Sequence, residues 1–310
     1  MNYRHAFHAG NFADVVKHAV LVRILLHLAG KPAPYRVIDT HAGAGLYDLT
    51  GPESSRSGEW QGGITRLFAA GFAGAGSAGI DPPVRSLLAP YLDAVAARND
   101  GGRLTRPGEL TRPGGLTRPG GRLTRYPGSP ALVAAFLRPQ DRLVVCEREP
   151  GVAAALARNF AHDRRIKPVA IDGWTALNAY VPPKERRGLV LVDPPYEETG
   201  DFSRLAQSLE GAHRKWATGI YLLWYPVKER AEPDALARRL VRSRIGKILR
   251  AEVEVAAPTI PPRLCGCGLI VVNPPWTLEP ELKLMLPLLA GVLAAPERGT
   301  CRIDWLSREV

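Results

Sequence analysis

The sequence has little from which to build metal or disulfide chemistry. Its four cysteines, Cys146, Cys265, Cys267 and Cys301, form no C-x-x-C pair and are too sparse for a disulfide framework. Cys265-Gly-Cys267 has no histidine close by to complete a zinc site, so structural thiols and no bound metal are expected. No apolar run reaches membrane-spanning length, and Met1-Asn-Tyr-Arg-His lacks the apolar region of a signal peptide. A cytoplasmic protein without membrane contact is the expectation. Acidic residues are also short, 30 against 41 Lys and Arg, for a formal charge of +11. That excess points to a polyanionic partner, since phosphate contacts dominate non-specific nucleic-acid affinity, although a generally basic surface gives the same count.

Two glycine-rich stretches lack what a dinucleotide site needs. Gly74-Ala-Gly76-Ser-Ala-Gly79 satisfies G-x-G-x-x-G literally, but no strand precedes it. Gly43-Ala-Gly45 does follow a strand, yet the third glycine position holds Asp48. The next strand-end acid is about a hundred residues away instead of ~20, which disfavours a Rossmann dehydrogenase.

What is present is an α/β rhythm. With 310 residues, 45% apolar and 23% charged, the chain suits one α/β domain carrying an insertion, or two domains. Asn11 to Gly30 reads as a helix, with Asn11 as its cap and Gly30 as its stop. Asp14, Lys17 and His18 share one side of its first half, where a surface helix would keep a single polar stripe, so Lys17 and His18 either face a site or pass under a loop. Buried strands are expected to end at Asp39, Glu147, Asp172 and Asp193. Carboxylates at the carboxyl ends of parallel strands can accept hydrogen bonds from ribose hydroxyls and amines. Glycines after Asp39 would let the backbone approach a ligand and turn into a helix. A fifth strand covers Ile220 to Pro226, and Ile248 to Val255 should pair antiparallel with Gly268 to Asn273, taken as the final strand.

Residues 51–126 interrupt this rhythm. Within them Leu-Thr-Arg-Pro-Gly recurs from Leu104, Leu110 and Leu116, and Leu123-Thr-Arg125 is a broken copy. Proline and glycine at that density block helix and ladder alike, so a mobile loop is expected. Residues 101–125 hold six arginines and one glutamate, so the remaining chain is still basic. A second basic stretch, 227–250, places Arg238, Arg239 and Arg242 on adjacent helical turns, as a phosphate-binding face or a solvated one.

The most specific stretch is Gly188-Leu-Val-Leu-Val-Asp193-Pro194-Pro195-Tyr196. Four apolar residues suit a strand covered on both faces, and two prolines force the chain out of the sheet just where Asp193 sits. Asp81-Pro-Pro and Asn273-Pro-Pro-Trp276 imitate it, but the first reads as a helix start and the second as a packing turn.

Asp39-x-x-x-Gly43-x-Gly45, Glu147, Asp172 and Asp193-Pro-Pro-Tyr196 on successive strands resemble a class I S-adenosylmethionine-dependent methyltransferase of the amino-group type. Tyr3-Arg-His-x-Phe-His-Ala-Gly-Asn11-x-Ala-Asp14-Val-x-Lys17-His18, Asp39-Thr-His-Ala-Gly-Ala-Gly45, Tyr126-Pro-Gly-Ser-Pro130, Ala217-Thr-Gly-x-Tyr221 and Leu223-Trp-Tyr-Pro226 narrow it. These resemble the ribosomal RNA large subunit methyltransferase J family across nearly the whole chain, the repeat excepted. The resemblance implies a Rossmann-like fold with a mostly parallel sheet and an antiparallel last pair. Its core would be residues 1–50 and 127–310, with a small helical subdomain inserted at 51–126. It implies methylation of N6 of an adenosine in 23S ribosomal RNA by a monomer. His18, Asp39, His41, Gly43, Ser129, Glu147, Asp172 and Gly173 would serve the methyl donor, and Tyr3 and Lys17 would serve the RNA or close the site. Asp193 and the Pro194 carbonyl would accept hydrogen bonds from the amine while Tyr196 stacks on a flipped base. A DNA adenine-N6 or cytosine-N4 methyltransferase would share this core, and a non-catalytic RNA-binding module could retain it.

Overall fold

The computed structural model describes residues 4–72, 80–99, 123–294 and 296–308. Tyr3, the Gly74–Gly79 run and the three full copies of the repeat up to residue 122 lie outside the described residues.

The first helix, α1 (Phe12–Ala29), begins where the sequence places it. The Asn11 side chain accepts a hydrogen bond from Asp14 N at 2.9 Å, and Gly30 closes the last turn. Strand β1 (Arg36–Asp39) follows, then β2 (Leu46–Asp48), α2 (Pro52–Ser57), two π-helical stretches (Gln61–Thr65 and Phe68–Phe72) and α3 (Pro82–Ala96). Next come β3 (Arg125–Pro127), α4 (Ser129–Phe136), β4 (Arg142–Glu147), α5 (Pro150–Asn159), β5 (Ile166–Ala170), α6 (Gly173–Tyr180) and β6 (Gly188–Val192). The chain ends with α7 (Asp201–Lys215), β7 (Ile220–Val227), α8 (Ala231–Arg242), β8 (Ile248–Glu254), β9 (Gly266–Val272), α9 (Leu278–Ala294) and β10 (Thr300–Ser307).

Eight strands form one sheet in the order β10-β8-β9-β7-β6-β1-β4-β5. From β7 to β5 neighbours run parallel, and from β7 to β10 they run antiparallel. The mostly parallel sheet with its antiparallel β8–β9 pair is as expected. Two local expectations are corrected. β9 is not the last strand, because α9 returns the chain and β10 pairs with β8. After Gly45 the chain enters β2, which pairs with β3, and does not turn into a helix. Tyr126 and Pro127 belong to β3, and Gly128 is the residue preceding α4.

The two faces of β6 show how the core is divided. Leu189 and Leu191 pack into one apolar cluster with α1, α4 and α9; Val190 and Val192 pack into another with α7 and α8. Both faces are covered, which is why the strand reads as an unbroken apolar run. Each such side chain is worth roughly 1.5–3 kcal/mol on full burial. Gly188 is required where β6 enters beside β1, since a Cβ there would lie 2.0 Å from the Arg36 carbonyl oxygen. The imitator Asn273 sits at the opposite edge from Asp193, because β9 runs against β7. Its amide donates to the carbonyls of Ala217 and Gly219, both at 2.8 Å, so it is a packing turn.

Candidate active site

Strand order turns scattered acids into a row. Across β6, β1, β4 and β5 the carboxyl edge carries Asp193, Asp39, Glu147 and Asp172. Asp39 and Glu147 are the last residues of their strands, and Asp193 directly follows β6. Asp172 lies two residues beyond β5 and caps α6, accepting from Thr175 N at 3.0 Å. Above this edge lies a cavity of about 710 Å³, lined among others by Lys17, His18, His41, Gly43, Ser129, Glu147, Asp172, Gly173 and Asp193. That volume is ample for a nucleoside-sized ligand and a second planar group.

One end of the cavity is a buried chain of charges. Lys17 donates to Asp193 on one side and to Asp14 Oδ1, at 2.8 Å, on the other. The sequence separation of 176 residues is closed by packing α1 across the sheet edge. Asp14 Oδ2 accepts from Gly10 N at 2.9 Å and meets His5 Nε2 at 3.0 Å. Burial opposes charge on Lys17, but Asp14 and Asp193 outweigh it and hold the ammonium well above the usual lysine range. Burial likewise opposes charge on Asp14; Lys17 and His5 prevail and hold it well below the carboxylate range.

At the other end, donors and acceptors are arranged for a polar, elongated molecule. Glu147 Oε2 accepts from Gly43 N at 3.1 Å, which ties the glycine loop to β4. His18 shares a hydrogen bond with the Tyr126 hydroxyl at 2.7 Å through Nδ1, while its buried Nε2 makes no hydrogen bond and lies 3.9 Å from Asp14 Oδ1. Burial pushes His18 down to about 3, against the pull of Asp14, so the ring is neutral. His41 still touches solvent in the cavity; burial lowers it to about 4, with Asp193 and Asp172 opposing. Gly173 must be glycine, since a Cβ would come within 2.6 Å of the His41 ring and 2.3 Å of Thr40 O. Together the site offers two strand-end acids, a neutral imidazole with a vacant nitrogen and the uncapped start of α4 at Ser129.

Three expected site residues do not line the cavity. Asp39 is fully buried beneath it, accepting from the Ser129 hydroxyl at 2.7 Å, with Oδ1 unpartnered. Pro194 is buried behind Asp193 and Pro195. Tyr196, in a left-handed conformation, donates its hydroxyl to Trp224 O at 2.7 Å and packs against Phe202 and Trp224. Conversely, the cavity wall includes His5, Thr40, Arg148, Trp174 and Arg204, which the sequence reading did not single out as site residues. The Arg204 guanidinium lies 5.0 Å from the centre of the Trp174 ring. His5 and Thr40 had a signal, their places in the N-terminal motif and in Asp39-Thr-His-Ala-Gly-Ala-Gly45. Of the basic helix, Arg239 pairs with Glu210 at 3.0 Å, and Arg238 and Arg242 stay exposed. Among the described residues no group of His, Cys, Asp and Glu could hold a metal ion, and no helix is long and apolar enough to cross a membrane.

Comparison with known proteins agrees with this geometry. A family model described as ribosomal RNA large subunit methyltransferase D, RlmJ, matches residues 32–106 and 116–307. Proteins named ribosomal RNA large subunit methyltransferase J from Haemophilus influenzae and from Escherichia coli are each 35% identical over 309 residues, covering 100% of both chains. A crystal structure of a Legionella pneumophila protein superposes with a TM-score of 0.79 at 31% identity, over 96% of this chain and 98% of that one.

Proposed function

The chain belongs to the ribosomal RNA large subunit methyltransferase J family and is an S-adenosylmethionine-dependent ribosomal RNA methyltransferase, and from that premise we propose that it methylates the N6 amine of an adenosine in 23S ribosomal RNA. The observation that carries the reading is the position of Asp193, a carboxylate at a proline-forced strand exit, facing the same cavity as Glu147 and Asp172.

The donor set fits S-adenosylmethionine. Glu147 would take the ribose hydroxyls and Asp172 the adenine amine, with His18 and the α4 N-terminus near Ser129 on the side of its carboxylate. His41, Gly43 and Gly173 shape the wall between them. Bound there, the cofactor supplies an electrophilic methyl group that is released to a nucleophile. Asp193 accepts a hydrogen bond from the substrate amine and aims its lone pair at that methyl group. The Pro194 carbonyl, which lies outside the cavity lining, would be the second acceptor only if the amine reaches past Asp193. As the new N–C bond forms, positive charge grows on the nitrogen, and the carboxylate of Asp193 stabilises it. The surplus proton then passes from the nitrogen, which is strongly acidic once methylated, to solvent water, so Asp193 need not be a strong base. Lys17 fixes the carboxylate before substrate arrives. Tyr196 would supply the aromatic face for the flipped base, and Tyr3 would serve the RNA.

Transfer of tritiated methyl groups to stripped 23S RNA and to duplex DNA tests the substrate class. Label in RNA alone is expected; label in DNA alone would favour a DNA amino-methyltransferase. Cofactor binding with no transfer to either would favour a non-catalytic RNA-binding module.

A further inference from the structure

We infer that Asp14 is an electrostatic positioning residue for methyl transfer, the second anion that shares the Lys17 ammonium and leaves the buried cluster around Asp193 negatively charged. The inference rests on the methyl-transfer reading of the site. Asp14 is 2% exposed and lies outside the cavity, so it does not touch substrate or cofactor there. Its carboxylate is fixed from three directions by Lys17 at 2.8 Å, Gly10 N at 2.9 Å and His5 Nε2 at 3.0 Å. Its own backbone N–H is held by the Asn11 cap. Such a group has one orientation, set by the first turn of α1.

Consider the same site without that charge. Lys17 and Asp193 would form a neutral one-to-one pair, with the ammonium committed to the carboxylate that the substrate amine needs. With Asp14 pulling from the other side, the ammonium is divided between two anions. The charges of Asp14, Lys17 and Asp193 sum to minus one, and buried His18 adds none. The reaction moves positive charge onto the amine nitrogen. A cluster carrying a net negative charge attracts that cation more strongly than a neutral pair does. A buried lysine beside the catalytic carboxylate would otherwise oppose the chemistry; Asp14 reverses the balance.

The charge can be read without turnover, by comparing affinities for S-adenosylmethionine, a sulfonium cation, and S-adenosylhomocysteine, its neutral thioether counterpart. In the full-length protein, Asp14→Asn should weaken binding of the cation relative to the neutral ligand by on the order of tenfold. It should also lower kcat on ribosomal RNA by at least that factor, and Asp14→Glu should restore part of the rate. The double variant Asp14→Asn with Lys17→Met is decisive, because Asp193 alone again carries a single negative charge. It should regain preference for the cation over the Asp14→Asn protein, and it removes the buried ammonium that could prevent the single variant from folding. An unchanged preference in Asp14→Asn, or a double variant with no more preference for the cation than Asp14→Asn, would overturn the inference. Absence of transfer by the unaltered protein would instead remove the methyl-transfer reading itself.

Discussion

Replacing Asp39 with asparagine should remove a pH dependence from the stability of the protein. Asp39 is fully buried at the end of β1, and burial raises its carboxyl from 3.8 to about 7, against the Ser129 hydroxyl and Lys17, which favour the charged form. Its Oδ1 has no partner, so the charged form is only half satisfied. The folded state therefore holds the proton more tightly than the unfolded chain. The stabilisation this gives is complete below pH 3.8 and is lost as pH rises through about 7. At ~1.36 kcal/mol per pH unit the whole interval is worth about 4 kcal/mol, of which roughly 2.5 kcal/mol falls between pH 5 and pH 8. Urea denaturation of the ligand-free protein at those two pH values measures it. The unaltered protein should lose that much more stability than Asp39→Asn on going from pH 5 to pH 8. Parallel losses in the two proteins would refute the reasoning, and a larger loss in the variant would reverse it.

Two further outcomes follow from packing and capping. Gly188→Ala drives a Cβ to 2.0 Å from Arg36 O in the β1–β6 ladder, so it should cost ~3 kcal/mol or more in a denaturant titration, with folded protein lost at 37 °C. Asn11→Ala removes the α1 cap and the amide bond to Glu59 at 3.0 Å; about 1–2 kcal/mol of stability should disappear, visible as a lower Tm with the denaturant slope unchanged.

How much of this was legible in the sequence depended on locality. β6 and its exit at Asp193 were readable because an apolar run bounded by Gly188 and two prolines has few alternative structures. The cap of α1 and the stop at Gly30 were readable for the same local reason. β10 was not. Its residues are only partly buried along an edge, and Asp304 pairs with Arg250 of β8 at 2.7 Å, so Thr300–Ser307 carries no strong apolar alternation. β2 and β3 are three residues each and are specified by pairing between residues 46–48 and 125–127, far apart in the sequence.

At the site, the strand-end acids were visible as types, and their order along the edge came from the sheet. What the sequence withheld was depth. Asp39 belongs to the same pattern as Glu147, yet the Ser129 hydroxyl closes over it. The polar side of α1 was legible as an anomaly at Asp14, Lys17 and His18, but its target, Asp193, lay 176 residues away. No local rule reaches that far.

The central claim is that Asp193 directs a methyl group onto the N6 amine of an adenosine in large-subunit ribosomal RNA. The direct measurement incubates stripped 23S RNA with labelled S-adenosylmethionine and either the unaltered protein or Asp193→Ala, digests the RNA to nucleosides and identifies the labelled one by mass. The account predicts N6-methyladenosine from the unaltered protein and none from Asp193→Ala, with cofactor binding retained in the variant. Label in any other nucleoside, or full N6-methyladenosine from Asp193→Ala, would contradict it.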